Sequence, residues 1–516
     1  MLFAGAFFAA MVFAGCGYTP GGTRLSTIKT SATGVPKAQI QKDFLSATQC
    51  AFCHPAEHRQ WATSMHAYAM NSPVFIAFNN FVLRSSGGTL GVFCTRCHGP
   101  MGISSGESAI LPNDKRHELS RESVTCMVCH GAHTRDGQSS GVFHNPIPGQ
   151  GPITVYGPYY GYDEPGAPKD PAMRLIKSPH KSRHWPVMTT GRFCGECHDV
   201  FLNDGTNVEE AYSEWKNSPY ARKGITCQDC HMSPVPGKPV PFVKGPIVDT
   251  DLFPNAPIRS RSSHMFTGPD YSIIPNFGKD ASGLDDADFK AHELLLDKQR
   301  VELIRNGATM KVTNSQQVAP GGRLKVAVAL TNSGSGHNFP TGFIAEREIW
   351  VEVMVHDANG RMLFVSGDLD PNGDLRDPDA DLVKAGAEPI DHNLENLEAN
   401  FILQDFKGTQ SEFVSSVDRL IGPTPFVNPA TTPVSLMGFA VNSRVFKRGI
   451  PPFATRIAHY SIDVPNGVKG PLQLRVRLRF RNLPSHFVNA IGLGKIRPKI
   501  RTNDIYTYHS AIALNG

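Results

Sequence analysis

The stretch from Phe193 to Met232 begins with Phe-Cys-Gly-Glu-Cys-His-Asp and ends with Thr-Cys-Gln-Asp-Cys-His-Met. Both ends contain the pattern Cys-x-x-Cys-His. Two thiols three residues apart can form thioethers with the two vinyl groups of one porphyrin, and the histidine that follows is then held beneath its metal. The pattern is therefore typical of covalent haem attachment, and it decides how this half of the chain folds.

The pattern occurs five times between residues 50 and 231. A zinc ribbon needs pairs of Cys-x-x-Cys and a thiol redox site needs one, but neither requires a histidine at the same offset each time. The sequence therefore predicts five c-type haems. Their thioether donors are Cys50, Cys53, Cys94, Cys97, Cys126, Cys129, Cys194, Cys197, Cys227 and Cys230, and their proximal iron ligands are His54, His98, His130, His198 and His231.

The composition limits the alternatives. The chain has 516 residues and 11 cysteines, and none of the cysteines lies after Cys230. Clustering of this kind argues against a disulfide framework and favours cofactor attachment in the first half only. A hydrophobic fraction of 40% and a charged fraction of 19% fit globular domains. The formal net charge of +5 is small for this length, so we expect no nucleic-acid partner.

The N-terminus predicts export and membrane attachment. Residues 1–15 are apolar but too short to span a bilayer, which needs about 20 residues, so we interpret them as a signal peptide. Phe13-Ala14-Gly15-Cys16 resembles the bacterial lipobox, and we expect Cys16 to be lipidated; a signal peptide with an incidental cysteine is the alternative. Residues 16–41 then form a flexible tether. We expect an outer-membrane-anchored lipoprotein facing the periplasm or the cell surface.

Residues after the first motif carry a family resemblance. Residues 61–67 read Trp-Ala-Thr-Ser-Met-His-Ala. This resembles the large multihaem cytochrome family that is grouped around the tetrahaem electron acceptor of hydroxylamine oxidoreductase. The resemblance implies that His66 is a distal haem ligand, and that the chain is a pentahaem lipoprotein member with a C-terminal β-sandwich. Glu214-Trp215 and the motifs of residues 193–232 match the wider family.

Four further histidines are candidate distal ligands. His180 and His184 lie four residues apart, which would put them on one face of a helix, and we expect at least one to bind iron. His264, in Ser-His-Met-Phe, resembles the family's distal segment after the last motif. His337 lies in the Gly-flanked loop 336–342, from which it could reach a haem of the preceding domain; a structural loop histidine is the alternative.

The function depends on whether every haem has two protein ligands. All five motifs end in histidine, whereas the resemblance implies that catalytic haems of the family usually carry a lysine in its place or a tyrosine crosslink. Fifteen other histidines are enough for five bis-histidine haems. We therefore predict electron transfer to redox partners in the cell envelope. A multihaem oxidoreductase acting on a small nitrogen or sulfur compound at one open haem is the main alternative, and a structural subunit of a larger conduit is the third.

The fold class follows from a change of pattern along the chain. Residues 42–282 predict a mainly irregular and α-helical pentahaem domain, because the motifs are unevenly spaced and many turns separate them. Residues 283–298 predict a linker helix. Residues 299–516 alternate between apolar and polar side chains and predict an all-β sandwich, immunoglobulin-like.

Two polar patterns of the second half allow more than one interpretation. Arg475, Arg477, Arg479 and Arg481 form a row on one strand, which we interpret as a solvated sheet face; contact with haem propionates or an acidic partner is the alternative. Residues 368–379 imitate the spacing of a calcium loop, but the twelfth position is Asp rather than Glu. We favour a solvated acidic loop there, with calcium as the alternative.

Overall fold

The computed structural model describes residues 44–85, 88, 91–131, 154–170, 173, 180–201, 207–248, 251–343, 347–398, 400–404, 410–412, 442–446 and 448–515. The predicted signal peptide, Cys16 and the tether lie outside these residues. None of the helices in the described part of the chain has the length and apolar character needed to cross a membrane.

Short helices and two-stranded ribbons make up the first half. The helices are α1 (Ala47–Ala51), α2 (Pro55–Ala62), α3 (Met65–Tyr68), α4 (Pro73–Ser85), α5 (Thr95–His98), α6 (Pro100–Ser104), α7 (Glu118–Arg121), α8 (Cys126–His130), α9 (Gly191–Gly195), α10 (Ala211–Lys216), α11 (Pro219–Arg222) and α12 (Cys227–His231), with 3₁₀ turns at Asn113–Lys115 and Pro186–Thr189. Strand β1 (Thr154–Gly157) pairs in parallel with β2 (Lys181–His184), while β3 (Val200–Phe201) with β4 (Asn207–Glu209) and β5 (Val243–Pro246) with β6 (Ile258–Arg261) pair antiparallel.

The apolar clusters of this half are small. One consists of Phe44, Met101, Leu119, Met127 and Val128, and another surrounds Trp61. Short helices cannot cover each other's apolar side chains as two packed sheets do. Protein side chains therefore fill little of the interior between the motifs. The packing therefore agrees with a fold built around large cofactors.

A helix joins the two halves. After α13 (Lys279–Ser282), helix α14 runs over Asp286–Gly307, with the Asp285 side chain accepting a hydrogen bond from the Asp288 amide at 2.9 Å as its N-cap. It continues past the predicted boundary at residue 298 because Val301 and Ile304 pack against the core of the following sheets. The strand pattern accordingly begins at Ala308 rather than at residue 299.

The second half is built from strands. They are β7 (Ala308–Asn314), β8 (Gln317–Val318), β9 (Arg323–Asn332), β10 (Glu348–His356), β11 (Met362–Ser366), β12 (Glu395–Asn396), β13 (Asn400–Gln404), β14 (Gln410–Glu412), β15 (Asn442–Phe446), β16 (Thr455–Asp463), β17 (Leu472–Arg481) and β18 (Asn503–Leu514), accompanied by helices α15 (Asp381–Lys384) and α16 (Ser485–Ala490) and a 3₁₀ turn at Gly494–Lys499. One sheet has the order β16-β9-β7, a second β11-β10-β17-β18-β8 with β12 on β10, and a third β14-β13-β15.

Two of these sheets share one apolar core. Val326 and Val328 of β9 and Val351 and Val353 of β10 are at most 2% exposed and belong to a single cluster. Alternation along β9 places its apolar side chains on one face, as the sequence predicts, whereas β10 is buried on both faces over most of its length. Burial of each contributes roughly 1.5–3 kcal/mol, so this core is the main source of stability for the second half.

The arginine row on β17 is not a solvated face. Arg477 and Arg479 both pair with the buried carboxylate of Glu352 on β10 and with Asp504 on β18. Arg481 is buried and pairs with Glu348. Antiparallel pairing of β17 with β10 and β18 brings these opposite charges together across the strands. The predicted solvated face is therefore wrong, since acidic residues of neighbouring strands neutralise three of the four arginines and Arg475 contacts Met354.

The acidic loop is also buried. Asp370, Asp374 and Asp379 are at most 8% exposed. The Asp370 carboxylate accepts hydrogen bonds from the amides of Asn372 and Asp374, which closes a turn around Gly373 at φ +79°. The predicted solvated loop is wrong because the turn folds inward. Among the described residues, no group of three or more His, Cys, Asp or Glu side chains is placed to hold a metal ion among themselves.

Candidate haem-binding site

The five motifs lie at short helical turns. Helices α1, α5, α8, α9 and α12 each include at least one motif cysteine. In a helical turn, residues i, i+3 and i+4 share a face, so both thiols and the histidine of a motif point to the same side. The turn of the fifth motif begins with a capping box in which Thr226 and Asp229 bond each other's backbone. Local sequence thus explains how each motif presents its three reactive side chains.

All five motifs open onto one cavity of about 1720 Å³. Its lining includes all ten motif cysteines and all five motif histidines. A pocket for one small ligand measures about 300–1,000 Å³, so this space exceeds a single site. The ten cysteines are half-buried free thiols. A continuous space with donors at five points along its wall fits several porphyrins and their thioether bonds.

Each motif histidine has its Nδ1 atom engaged by the protein. Four Nδ1 atoms face backbone carbonyls: His54 that of Ile247 at 2.8 Å, His98 that of Ala69 at 3.2 Å, His130 that of Tyr156 at 2.7 Å, and His231 that of Thr267 at 2.8 Å. Donation from Nδ1 leaves Nε2 as the nitrogen with a free lone pair. The five rings are therefore oriented as metal ligands usually are.

The remaining motif histidine, His198 of the fourth motif, has a different partner. Its Nδ1 lies 2.7 Å from the carboxylate of Glu209. Burial lowers the pKa of His198, but the carboxylate outweighs it and the net shift of this pKa is upward. The carboxylate of Glu209 has its own pKa lowered by the same pair, against the effect of burial.

Three motif histidines face a second histidine across the cavity. His198 and His66 have ring centroids 6.3 Å apart, His130 and His264 are also 6.3 Å apart, and His231 and His337 are 6.2 Å apart. Two imidazoles bound to opposite sides of one metal, each through a bond of about 2.0 Å, place their centroids roughly 6 Å apart. These distances fit an iron atom between the rings of each pair.

Burial keeps histidines of these three pairs in the neutral form. Burial lowers the pKa of His66 to about 3, with a further contribution from His198, and burial lowers the pKa values of His130 and His337 to about 4. A neutral imidazole offers a lone pair to a metal, whereas a protonated one does not. In addition, Nδ1 of His337 faces the Asn338 carbonyl at 2.8 Å and Nδ1 of His264 faces that of Ser262 at 3.1 Å.

The structure separates the two histidines of residues 180–184. His180 lines the cavity and lies close enough to His54 for their charges to interact. His184 is outside the lining, where its ring stacks on Tyr160 at 4.1 Å. The segment forms strand β2 and not the helix that would have paired the two histidines. The structure therefore brings His180 to the site and leaves His184 away from it.

The second motif differs from the others. The ring of Phe75 stacks on His98 at 3.8 Å. Within the described ranges, no histidine ring faces His98 at the separation seen for the three pairs. Cys16, the predicted lipidation site, lies outside those ranges.

Local sequence gives no signal for two polar side chains of the site or for the contact that a third one makes. Glu209 follows the fourth motif without any recognisable pattern. His58 is buried, lines the cavity and has an Nε2 atom without a hydrogen-bond partner. Glu214 was noticed as part of the family resemblance, but its contact with the His337 loop joins segments more than 100 residues apart and leaves no local signal.

Thiols of different motifs also meet in space. Cys50 lies within hydrogen-bonding reach of Cys126, Cys97 of Cys197, and Cys194 of Cys227. These contacts join the first motif to the third, the second to the fourth, and the fourth to the fifth.

Comparisons with known proteins agree with this site. The family model described as "Cytochrome c554 and c-prime" matches residues 49–131, which include the first three motifs. A comparison with curated proteins gives no match. Among solved structures, the crystal structure of a penta-heme cytochrome c552 from Thermochromatium tepidum is similar, with a TM-score of 0.54, 18% identity, 92% of this chain covered and 100% of that chain covered.

The structural likeness, at 18% identity, shows a shared fold. Together with the family-model match and the five motifs, it supports a multihaem c-type cytochrome that works in haem-based electron transfer. Grouping with the electron acceptor of hydroxylamine oxidoreductase stays a prediction.

Proposed function

We propose that this protein transfers electrons through five covalently bound c-type haems in the bacterial cell envelope. The observation that carries the proposal is the set of three histidine pairs at 6.2–6.3 Å around one cavity lined by all five motifs. A bound haem iron supplies reversible one-electron chemistry. Two histidines on the same iron leave no position for a substrate, which favours conduction over catalysis.

The thiol contacts support an order for the haems. Contact of Cys50 with Cys126 makes the first and third haems neighbours, and contacts at Cys97 and Cys227 put the second and fifth beside the fourth. Cys129 also interacts with Cys194 and Cys197, which links the third motif to the fourth. We infer a connected array in which the fourth haem has the most neighbours.

The side chains of this chain hold and isolate such an array. His66, His264 and His337 complete the ligand pairs, and His180 is the distal ligand we propose for the first motif. Backbone carbonyls fix the ring planes of four proximal histidines through Nδ1. The cavity wall is predominantly apolar, and bound haems that displace water from it would lower the reorganisation that each electron transfer requires.

We further propose that Cys16 is a lipid anchor and that the haem region (42–282) faces redox partners from the membrane surface. The second half is proposed as an immunoglobulin-like sandwich. Two sheets, β7-β9-β16 and β8-β18-β17-β10-β11, pack over one apolar core, which supports a sandwich.

One observation favours a second candidate function. Since no described histidine faces His98 at the pair distance, the haem of the second motif is the place where a small nitrogen or sulfur compound would bind. The comparisons do not favour this oxidoreductase.

Electron paramagnetic resonance of the oxidised holoprotein tests the proposal. We expect low-spin signals for at least four haems and reversible reduction of all five. Mass spectrometry should give the mass of five haems on one polypeptide. A stoichiometric high-spin signal that changes on addition of nitrite, hydroxylamine or sulfite would overturn pure conduction in favour of the second candidate. Replacing Cys16 with Ser should release the protein from membranes; persistent association would contradict the lipid anchor.

A further inference from the structure

The proximal histidines of the five motifs can be compared directly, because they hold equivalent positions. Four of them face a neutral backbone carbonyl through Nδ1, and only His198 faces a carboxylate, that of Glu209 at 2.7 Å. We propose that Glu209 is a positioning residue that lowers the reduction potential of the haem attached at Cys194 and Cys197. The inference rests on the proposed electron-transfer function and deepens it.

A carboxylate that accepts a hydrogen bond from an imidazole increases the basicity of the other ring nitrogen. A more basic ligand and a nearby negative charge both stabilise ferric iron, which carries one more positive charge than ferrous iron. Reduction adds one electron to the iron while the proton stays on Nδ1. A carbonyl oxygen supplies only a dipole, so the four other proximal histidines lack this effect.

The local fold holds Glu209 at His198 in a defined way. Strands β3 and β4 pair Val200 with Glu209 and so return the chain to the residues just after the fourth motif. Asp199 anchors this hairpin, because its carboxylate accepts hydrogen bonds from Asn207 at 3.1 Å and Ser213 at 2.7 Å. Both carboxylate oxygens of Asp199 therefore accept hydrogen bonds from groups other than the imidazole. Glu209 is the acidic residue that contacts His198.

The haem attached at Cys194 and Cys197 lies beside two other haems, so its reduction potential affects electron transfer between them. Cys197 meets Cys97 and Cys194 meets Cys227, so the fourth haem adjoins those of the second and fifth motifs. A lowered potential there makes transfer onto the fourth haem the uphill step for electrons that pass between its neighbours.

Potentiometric titration of the holoprotein, followed by haem absorbance, tests the proposal with Glu209→Gln. Glutamine retains an acceptor oxygen at the same place but removes the charge. We expect one of the five one-electron steps to move to higher potential while the low-spin signals persist. Asp163→Asn is the control, since it removes an exposed carboxylate of the same half of the chain that pairs with Arg183 and meets no motif histidine; its midpoints should shift clearly less.

Five unchanged midpoints in Glu209→Gln with five haems bound would overturn the proposal, and so would an equal shift in Asp163→Asn. If Glu209→Gln does not assemble, Glu209→Asp gives the second test: its shorter side chain weakens the contact, and an unchanged set of midpoints overturns the proposal there too. Loss of reversible reduction in the unmodified protein would instead refute electron transfer itself, so the two failures are distinguishable.

Discussion

The imidazole rings of His231 and His337 face each other with centroids 6.2 Å apart and planes inclined by 20°. His231 ends the fifth motif, whereas His337 lies in the loop between β9 and β10 of the second half. Asn332 steadies that loop by donating its side-chain amide to the carbonyls of His337 and Ile450, both at 2.8 Å. The β region therefore contributes directly to the cavity in which the haems are held.

Replacing His337 with Ala should convert one haem from low spin to high spin, because His231 would lose the ring that faces it. Electron paramagnetic resonance of the oxidised protein should show the change in about one fifth of the iron. His184→Ala is the control: its ring stacks on Tyr160 away from the cavity, and the spectrum should not change. A low-spin spectrum for His337→Ala would remove His337 from the ligand set.

Glu214 should prove important for the same loop. Its partly buried carboxylate accepts hydrogen bonds from the Asn338 amide at 3.1 Å, the Asn338 side chain at 2.7 Å and the Thr341 hydroxyl at 2.5 Å. Glu214→Ala leaves these donors without a partner, which should lower the free energy of unfolding by about 1–3 kcal/mol. Thermal unfolding of the holoprotein measures the loss.

Glu214→Gln is the matched variant, because it retains acceptor oxygen and nearly the same shape. Burial already raises the pKa of Glu214 to about 7, so a neutral side chain is well tolerated at this position. We expect Glu214→Gln to stay within about 1 kcal/mol of the unmodified protein. Equal losses for both variants would mean that the carboxyl group's hydrogen bonds do not hold the loop.

Local sequence predicts much of this site but not which histidine rings face each other. Each motif defines its own haem, and the residues around His66, His264 and His337 identify them as candidates. Which proximal ring each one faces depends on how distant segments pack. His198, for example, meets a residue from before the second motif, which no spacing along the chain predicts.

The difference between local sequence and long-range packing also explains which predictions are wrong. Alternation predicts β9 and β17 correctly, because it reports which face of a strand is buried. It does not report what covers the polar face, so the arginine row is predicted as a solvated surface although Glu352 and Asp504 lie beside it. Likewise, the pairing of β3 with β4 brings Glu209 to His198, and no residue type in the sequence indicates that pairing.

The pair of Arg481 and Glu348 should be far more important for stability than an exposed pair. Both side chains are at most 3% exposed. Removing one partner of a buried ion pair leaves the other charge without compensation and typically costs about 3–5 kcal/mol. We expect Glu348→Ala to lose free energy of unfolding in that range, measured by thermal unfolding.

The control is the exposed pair of Arg323 and Asp463, which links β9 to β16 in the same half of the chain. Exposed pairs contribute about 0–1 kcal/mol, so Asp463→Ala should change stability little. Similar losses for Glu348→Ala and Asp463→Ala would contradict a special role for the buried pair.

Asp374 should make stability depend on pH. Burial, together with the nearby Glu348 and Asp370 carboxylates, raises the pKa of Asp374 from 3.8 to about 7. Since the folded state holds this proton more tightly than the unfolded chain, the stabilising contribution is fully present below pH 3.8 and is lost as pH rises through about 7. Asp374→Asn cannot ionise but retains an oxygen that can accept from the His486 amide, the bond made now at 2.6 Å.

We therefore expect the melting temperature of Asp374→Asn, minus that of the unmodified protein, to increase between about pH 4 and pH 7. Calorimetry of both holoproteins across this range measures the difference. Leu375→Val, which changes the neighbouring buried side chain without altering an ionisable group, should give a difference that stays constant with pH. A constant difference for Asp374→Asn as well would show that Asp374 is ionised throughout, with Arg481 compensating its charge inside the fold.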